Sequence, residues 1–263
     1  MLRKALSILT ATLLTACATV VDAGTLVDVV VINRTTGETL PVYRHHGRYF
    51  VEGKASDRYA VQLRNRSGGR ILTVLSVDGV NAVSGQTAAT YQSGYVLAPG
   101  ASAEIAGWRK DMNDVAAFYF TALPGSYAAR TGRPDNVGVI GVAVFKEYVE
   151  PPRVMLEAPA PSQARPEATG RMAANDATGA SAAPSEYASR SKAMSAEMIG
   201  TGHGERIHAP TTSTEFRRAS SSPSEVLTIN YDSRSNLIAQ GIIPGYPRMP
   251  QAFPGGGFVP DPS

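Results

Sequence analysis

The chain has a single cysteine among its 263 residues, Cys17. No disulfide can form within it and no cysteine-based metal site can be built, so packing alone must hold the core. Charged residues are sparse, at 18%. Removing Arg3 and Lys4 from the 25 basic residues leaves 23 against 22 acidic ones. A nucleic-acid binder needs a concentrated basic face to neutralise phosphates. Here the arginines are scattered, often singly beside turns, so nucleic acid is not an expected partner. No Gly-x-Ser-x-Gly element is present and the lone thiol lies near the N-terminus. Nucleophilic hydrolysis therefore has no basis in the sequence. Long amphipathic helical patterns between strand-like runs are missing too, which excludes a Rossmann-type alternation.

What is present points to β structure. Gly at 25 and Pro at 18 suit a chain of strands and turns. Arg70 to Gly85, RILTVLSVDGVNAVSG, opens with a β-branched run broken only by Thr73 and Ser76. Such a run reads as a strand covered on both faces. Asp78-Gly79 stops it as a tight turn, Gly accepting positive φ and Asp bonding its own backbone. Val115 to Leu123, VAAFYFTAL, is a second run apolar on both faces, and its aromatic triplet favours strand over helix.

Other strands are expected at Leu26–Ile32, Thr39–Tyr43 (an edge, because of Pro41), Arg48–Val51, Gly94–Leu97, Ser102–Gly107 and Val137–Tyr148. Arg58 to Asn65 alternates, with Tyr59, Val61 and Leu63 on one face and Arg58, Gln62 and Arg64 on the other. The Ser67-Gly68-Gly69 turn suggests that this segment and the central run form a hairpin. Ser126 to Arg130 suits a single helical turn. Gly138 and Gly141 suggest a bulge or a close backbone approach. The expected fold is all-β, an antiparallel β-sandwich over residues 24–150.

Residues 1–16 have a basic start, Arg3 and Lys4, and an apolar run from Ala5 to Leu14 that is too short to span a bilayer. Leu14-Thr15-Ala16-Cys17 resembles the bacterial lipobox. The resemblance implies that residues 1–23 hold a lipoprotein signal, with the Cys17 thiol joined to diacylglycerol. Ala at position 18 then implies the outer membrane, facing the periplasm. The alternative is a signal cleaved before Gly24 without lipidation, giving a periplasmic or secreted protein.

The segments SVDGVNAVSGQTA, QSGYVLAPG, GWRKDMNDVAAFYF and SYAARTGRPDNVGVIGVAVF, across roughly residues 58–147, carry a wider resemblance. They are similar to an uncharacterised family of exported bacterial β-rich proteins with no assigned activity. GTGHGE and NYDSRSNLIAQGII further on look related as well. The resemblance supports the domain boundary and implies no mechanism.

From 151 to 224 the composition turns to Ala, Pro, Ser, Thr, Gly and Glu, which buries too little apolar area to offset its ordering entropy. A long disordered Pro/Ala/Ser-rich extension is expected there. Residues 225–243, VLTINY then DSRS then NLIAQGII, read as a C-terminal hairpin. An isolated hairpin is marginal, so it is expected to dock on the sandwich, at an open edge. Residues 244–263 read as a disordered tail.

Two sets of side chains carry possible chemistry. His203, Glu205 and His208 in GTGHGERIH offer two imidazoles and a carboxylate, a donor set that suits zinc. Their His-x-Glu-x-x-His order lacks the helical spacing of a metalloprotease, and the glycines point to a flexible polar loop instead. No strand is expected to lead into that loop, which argues against an anion cradle. His45-His46 would point to opposite faces of a strand. Trp108, Arg109, Tyr127, Arg130 and Arg133 form an aromatic and basic set of the kind found at binding hot spots; the plainer account is that Trp108 plugs the core. Asp78 with Asn81 is explained by the turn.

These features together suggest a non-catalytic cell-envelope binding or assembly module, without a cofactor. It would hold the membrane through an N-terminal lipid and meet an envelope protein or glycan. The alternatives are a metal-binding protein or metal-dependent enzyme using GTGHGERIH, and a strand-donating assembly subunit using residues near 225–243.

Overall fold

The computed structural model describes residues 24–151 and 198–245. Cys17, residues 152–197 and the tail from 246 lie outside the described residues. So do the signal expected at 1–23 and most of the expected disordered extension.

The described chain is mostly strand and builds two layers. The first holds β2 (Val42–His45), β3 (Arg48–Glu52), β13 (Glu225–Asp232), β11 (Val139–Lys146) and β5 (Ile71–Val77), hydrogen-bonded in that order. Two short strands, β6 (Val80–Asn81) and β7 (Tyr95–Leu97), share the far edge of β5. The second layer holds β1 (Val27–Asn33), β4 (Tyr59–Asn65) and β8 (Ser102–Ile105), then β9 (Gly107–Arg109), β10 (Asp114–Ala122) and β12 (Ile199–His208). Its two three-stranded sheets are stitched together. Phe118 N donates to Ala106 O at 2.8 Å, Phe120 N to Asp57 O at 3.0 Å and Ser56 N to Phe120 O at 2.8 Å.

Period-two patterning places the core between the layers. Val27, Val29 and Val31 of β1, Tyr59, Val61 and Leu63 of β4, and Phe118 and Phe120 of β10 are all buried. In the same cluster lie Ile71, Leu75 and Val77 of β5, Ile140, Val142 and Val144 of β11, and Ile229 and Tyr231 of β13. Both faces of β5 are buried, as its apolar run predicts. Leu72 and Val74 face away from the main core into a second cluster with Ala143 and Phe145, covered by Val96 and Phe216. Asp78 and Gly79 have φ of 54° and 72°, the left-handed pair that a two-residue hairpin turn requires. Tyr127–Arg130 forms the short helix α1, its Ser126 cap accepting from Ala129 N.

Four expectations are corrected. β4 and β5 are not a hairpin: β4 pairs with β1 and β8 while β5 pairs with β11. The Ser67-Gly68-Gly69 turn therefore carries the chain between layers. The fold is not purely antiparallel, since β13 runs parallel to β3. The expected disordered stretch 151–224 contains the ten-residue strand β12, and Phe216 beyond it covers β5.

Residues 225–243 are not a hairpin. They form β13 and a helix, α2 (Arg234–Ala239). Ser233 Oγ caps that helix by accepting from Asn236 N at 3.3 Å, and Leu237 is fully buried. β13 needs no hairpin partner because β11 and β3 pair with it on either side. It joins the sandwich inside a sheet rather than at an edge.

Candidate binding surface

Successive residues of β9 point opposite ways, and this divides the expected aromatic and basic set. Trp108 turns inward, 2% exposed, edge-on to Phe118 at 4.8 Å and tilted against Tyr127 at 4.9 Å. Arg109 turns out. Its NH1 donates to Asp111 O at 3.1 Å and Ala209 O at 2.9 Å, and its guanidinium lies 5.9 Å from the centre of the Tyr95 ring.

Tyr127, at the start of α1, is half-buried and meets a residue that sequence reasoning placed elsewhere. His203 of β12 lies 5.3 Å from it and 6.4 Å from Trp108, nearly parallel to the indole. Arg133 sits over Tyr127 at 5.7 Å, held by the carbonyl of Gly85 and the hydroxyl of Thr131. Arg130 is exposed at the end of α1. Partial burial lowers the His203 pKa below its ordinary value, and the positive charges of Lys110 and Arg130 add to this. At neutral pH the imidazole is therefore uncharged beside two cations. Trp108, Tyr127, Arg130 and Arg133 thus share one region, His203 and Lys110 join them, and Arg109 does not.

The expected metal set is not assembled. His203 stands against the aromatic rings, Glu205 pairs with Arg58 at 2.9 Å, and His208 Nδ1 lies 3.3 Å from Asp114 Oδ1. The physical reason is that this stretch is a paired strand with a bulge, not a loop. Phe118 faces His203 and Ala116 faces Arg206, so Gly204 and Glu205 together oppose Ala117. Among the described residues no three His, Cys, Asp or Glu side chains are placed to hold a metal ion. The rings of His45 and His46 meet edge-on at 4.1 Å, with His46 at φ 47°.

Packing explains the glycines of the same stretch. A Cβ on Gly202 would stand 2.1 Å from the Tyr119 ring, so the aromatic lies directly across the bare backbone. A Cβ on Gly200 would stand 2.5 Å from Val137 and 2.7 Å from Ser126. Gly200→Ala is therefore expected to lower stability by about 1–3 kcal/mol through overpacking, as read by urea unfolding. An unchanged midpoint would show that Val137 and Ser126 have room to move.

Asp78 does more than turn the chain. It is fully buried, and its carboxylate accepts from Gly138 N at 3.0 Å, Thr201 N at 2.7 Å and the Tyr231 hydroxyl at 2.5 Å. Thr201 Oγ1 lies 2.7 Å from the Tyr231 hydroxyl and 2.5 Å from that of Tyr59. Since Tyr231 donates to Asp78, the hydroxyl protons run in one direction, from Tyr59 to Thr201 to Tyr231 to the carboxylate. Burial pushes the Asp78 pKa up, against the lowering effect of its hydrogen bonds. Burial, reinforced by Asp78, holds both phenols well above their usual range, so they stay protonated donors. This group binds β4, the β5–β6 turn, β11, β12 and β13 to one another.

A scan against protein-family models and searches of curated proteins and solved structures found no match.

Proposed function

We propose that this chain is a non-catalytic binding module of the bacterial cell envelope, exported and lipid-anchored at Cys17. The observation that carries the binding role is the half-buried Tyr127–His203 pair, with Lys110, Arg130 and Arg133 around it. Aromatic faces stack on sugar rings or on guanidinium groups, and uncharged imidazole next to cations leaves a positive rim. That combination suits an anionic envelope glycan or an acidic protein surface. The basic start, the short apolar run and Leu14-Thr15-Ala16-Cys17 support export and anchoring. Acyl chains on Cys17 would hold the membrane at about 0.8 kcal/mol per buried methylene. The structural use of Asp78 favours binding over catalysis, because this buried carboxylate is occupied by three donors from the fold itself.

The test is capture of partners from bacterial membranes by the full chain. Lys110→Glu with Arg130→Glu reverses two exposed charges of the rim. It is expected to reduce capture several-fold and to weaken its salt dependence, with the melting temperature unchanged. Equal capture by this variant would rule out the surface as the binding face. Labelled palmitate incorporated into the full chain in bacteria, and lost in Cys17→Ser, is the expected sign of the anchor.

A further inference from the structure

A second cleft lies on the side of β9 from which Arg109 projects. It is about 460 Å³ in volume and is lined by parts of β7, β8 and β9 and by residues 211–214. Ligand sites of this size typically have an apolar lining and a few convergent polar groups. The apolar part comes from Val83, Val96, Leu97 and Met112. The polar part comes from Arg109, Tyr95 and the Thr-rich segment 211–214.

Two buried polar atoms on these lining residues have no hydrogen-bond partner, the Tyr95 hydroxyl and Arg109 Nε. Buried polar groups are nearly always paired, so two orphans on residues that line one cleft are donors still wanting an acceptor. Arg109 is already oriented. Two carbonyls hold its NH1 and the Tyr95 ring lies beside its guanidinium. A guanidinium edge and a phenol together match a carboxylate, whose planar oxygens suit the arginine fork. Asp111 stands close enough to Arg109 to feel its charge, so the local positive potential suits a monoanion better than a phosphate dianion.

We propose that this cleft binds a small amphiphilic carboxylate. Its acid group meets Arg109 and Tyr95, and its apolar body lies on Val96, Leu97 and Met112. This site is separate from the Tyr127 surface and does not depend on the envelope-binding role.

Octanoate, octylamine and octanol titrated into the full chain by calorimetry give the test. Octanoate is expected to bind with one-to-one stoichiometry and octylamine not to bind. Octanol is expected to bind at least ten-fold more weakly than octanoate. Tyr95→Phe should weaken octanoate about five- to ten-fold without moving the melting temperature, and Arg109→Gln should abolish binding. Arg109 also holds Asp111 and Ala209, so Tyr95→Phe is the variant that leaves the loop intact. Octanoate that fails to saturate at millimolar concentration overturns the proposal. So does equal binding of octanoate and octylamine, or wild-type affinity in Tyr95→Phe.

Discussion

A chain ended at Ser224 is expected to show no cooperative thermal transition, while one ended at Gly245 keeps it. The difference is β13 and α2. β13 lies between β11 and β3 and pairs with both. Its removal buries nothing in exchange: Leu227, Ile229 and Tyr231 leave the core, and two strands lose their ladders at once. Deleting one large buried side chain costs about 2–5 kcal/mol. Three of them together reach the whole stability of an ordinary domain, about 5–15 kcal/mol. The Asp78 carboxylate loses the Tyr231 hydroxyl as well. Calorimetry or circular dichroism on the two chains decides the matter. A normal transition in the shorter chain would mean that the remaining strands close without β13.

Asp78→Ala is the single substitution expected to do most damage. It leaves Gly138 N and Thr201 N as buried donors without an acceptor, each costing about 1–3 kcal/mol, and takes away the acceptor on which the Tyr59–Thr201–Tyr231 hydroxyl chain ends. It also places alanine at φ 54°, a region that aspartate tolerates better than alanine. A loss of roughly 4 kcal/mol or more in urea unfolding is expected.

The pH dependence has a definite sign. Burial raises the Asp78 pKa in the folded state, so between its unfolded and folded values the native protein holds the extra proton. Stability from this site is therefore fully present below the unfolded pKa and is lost as pH rises through the folded one. Asp78→Asn cannot titrate. The stability of the wild type relative to Asp78→Asn should therefore fall across that interval. A constant difference would mean that the carboxylate titrates alike in both states.

Particular residues show how much of this could be read in the sequence. β5 and β10 were legible because a strand buried on both faces needs a nearly continuous apolar run, and Ile71–Val77, interrupted only by Thr73 and Ser76, and Val115–Phe120 have one. β4 was legible through its alternation. Its partners were not, since nothing local to Tyr59–Asn65 names β1 or β8.

β12 was hidden. GTGHGE has almost no apolar content; it is a strand through its backbone ladder with β10, far along the chain, where bare Gly202 takes the Tyr119 ring. α2 was misread because NLIAQGII resembles a strand. The usable signal was Ser233 as a cap three residues before Asn236, with Gly241 at φ 71° closing the far end.

For the candidate surface, residue type alone singles out Trp108, Tyr127, Arg130 and Arg133, which the fold places in one region. His203 was assigned to a metal because adjacency in a motif says nothing about which rings a strand will meet. Asp78 reads locally as a turn residue. Its turn role is real, but the bonds that matter most are to Gly138 just ahead of β11, Thr201 of β12 and Tyr231 of β13.

The parallel pairing of β3 with β13 joins residues as distant as Tyr49 and Asn230, 181 positions apart. Closing so long a loop is slow, because its entropy is lost before any contact repays it. During synthesis, at roughly 5–20 residues per second, β3 and β11 emerge well before the strand that belongs between them. For those seconds the nascent chain presents two bare edges that any extended peptide could occupy. A holding chaperone that masks them until the last strand arrives would raise the yield of native protein without altering its final stability.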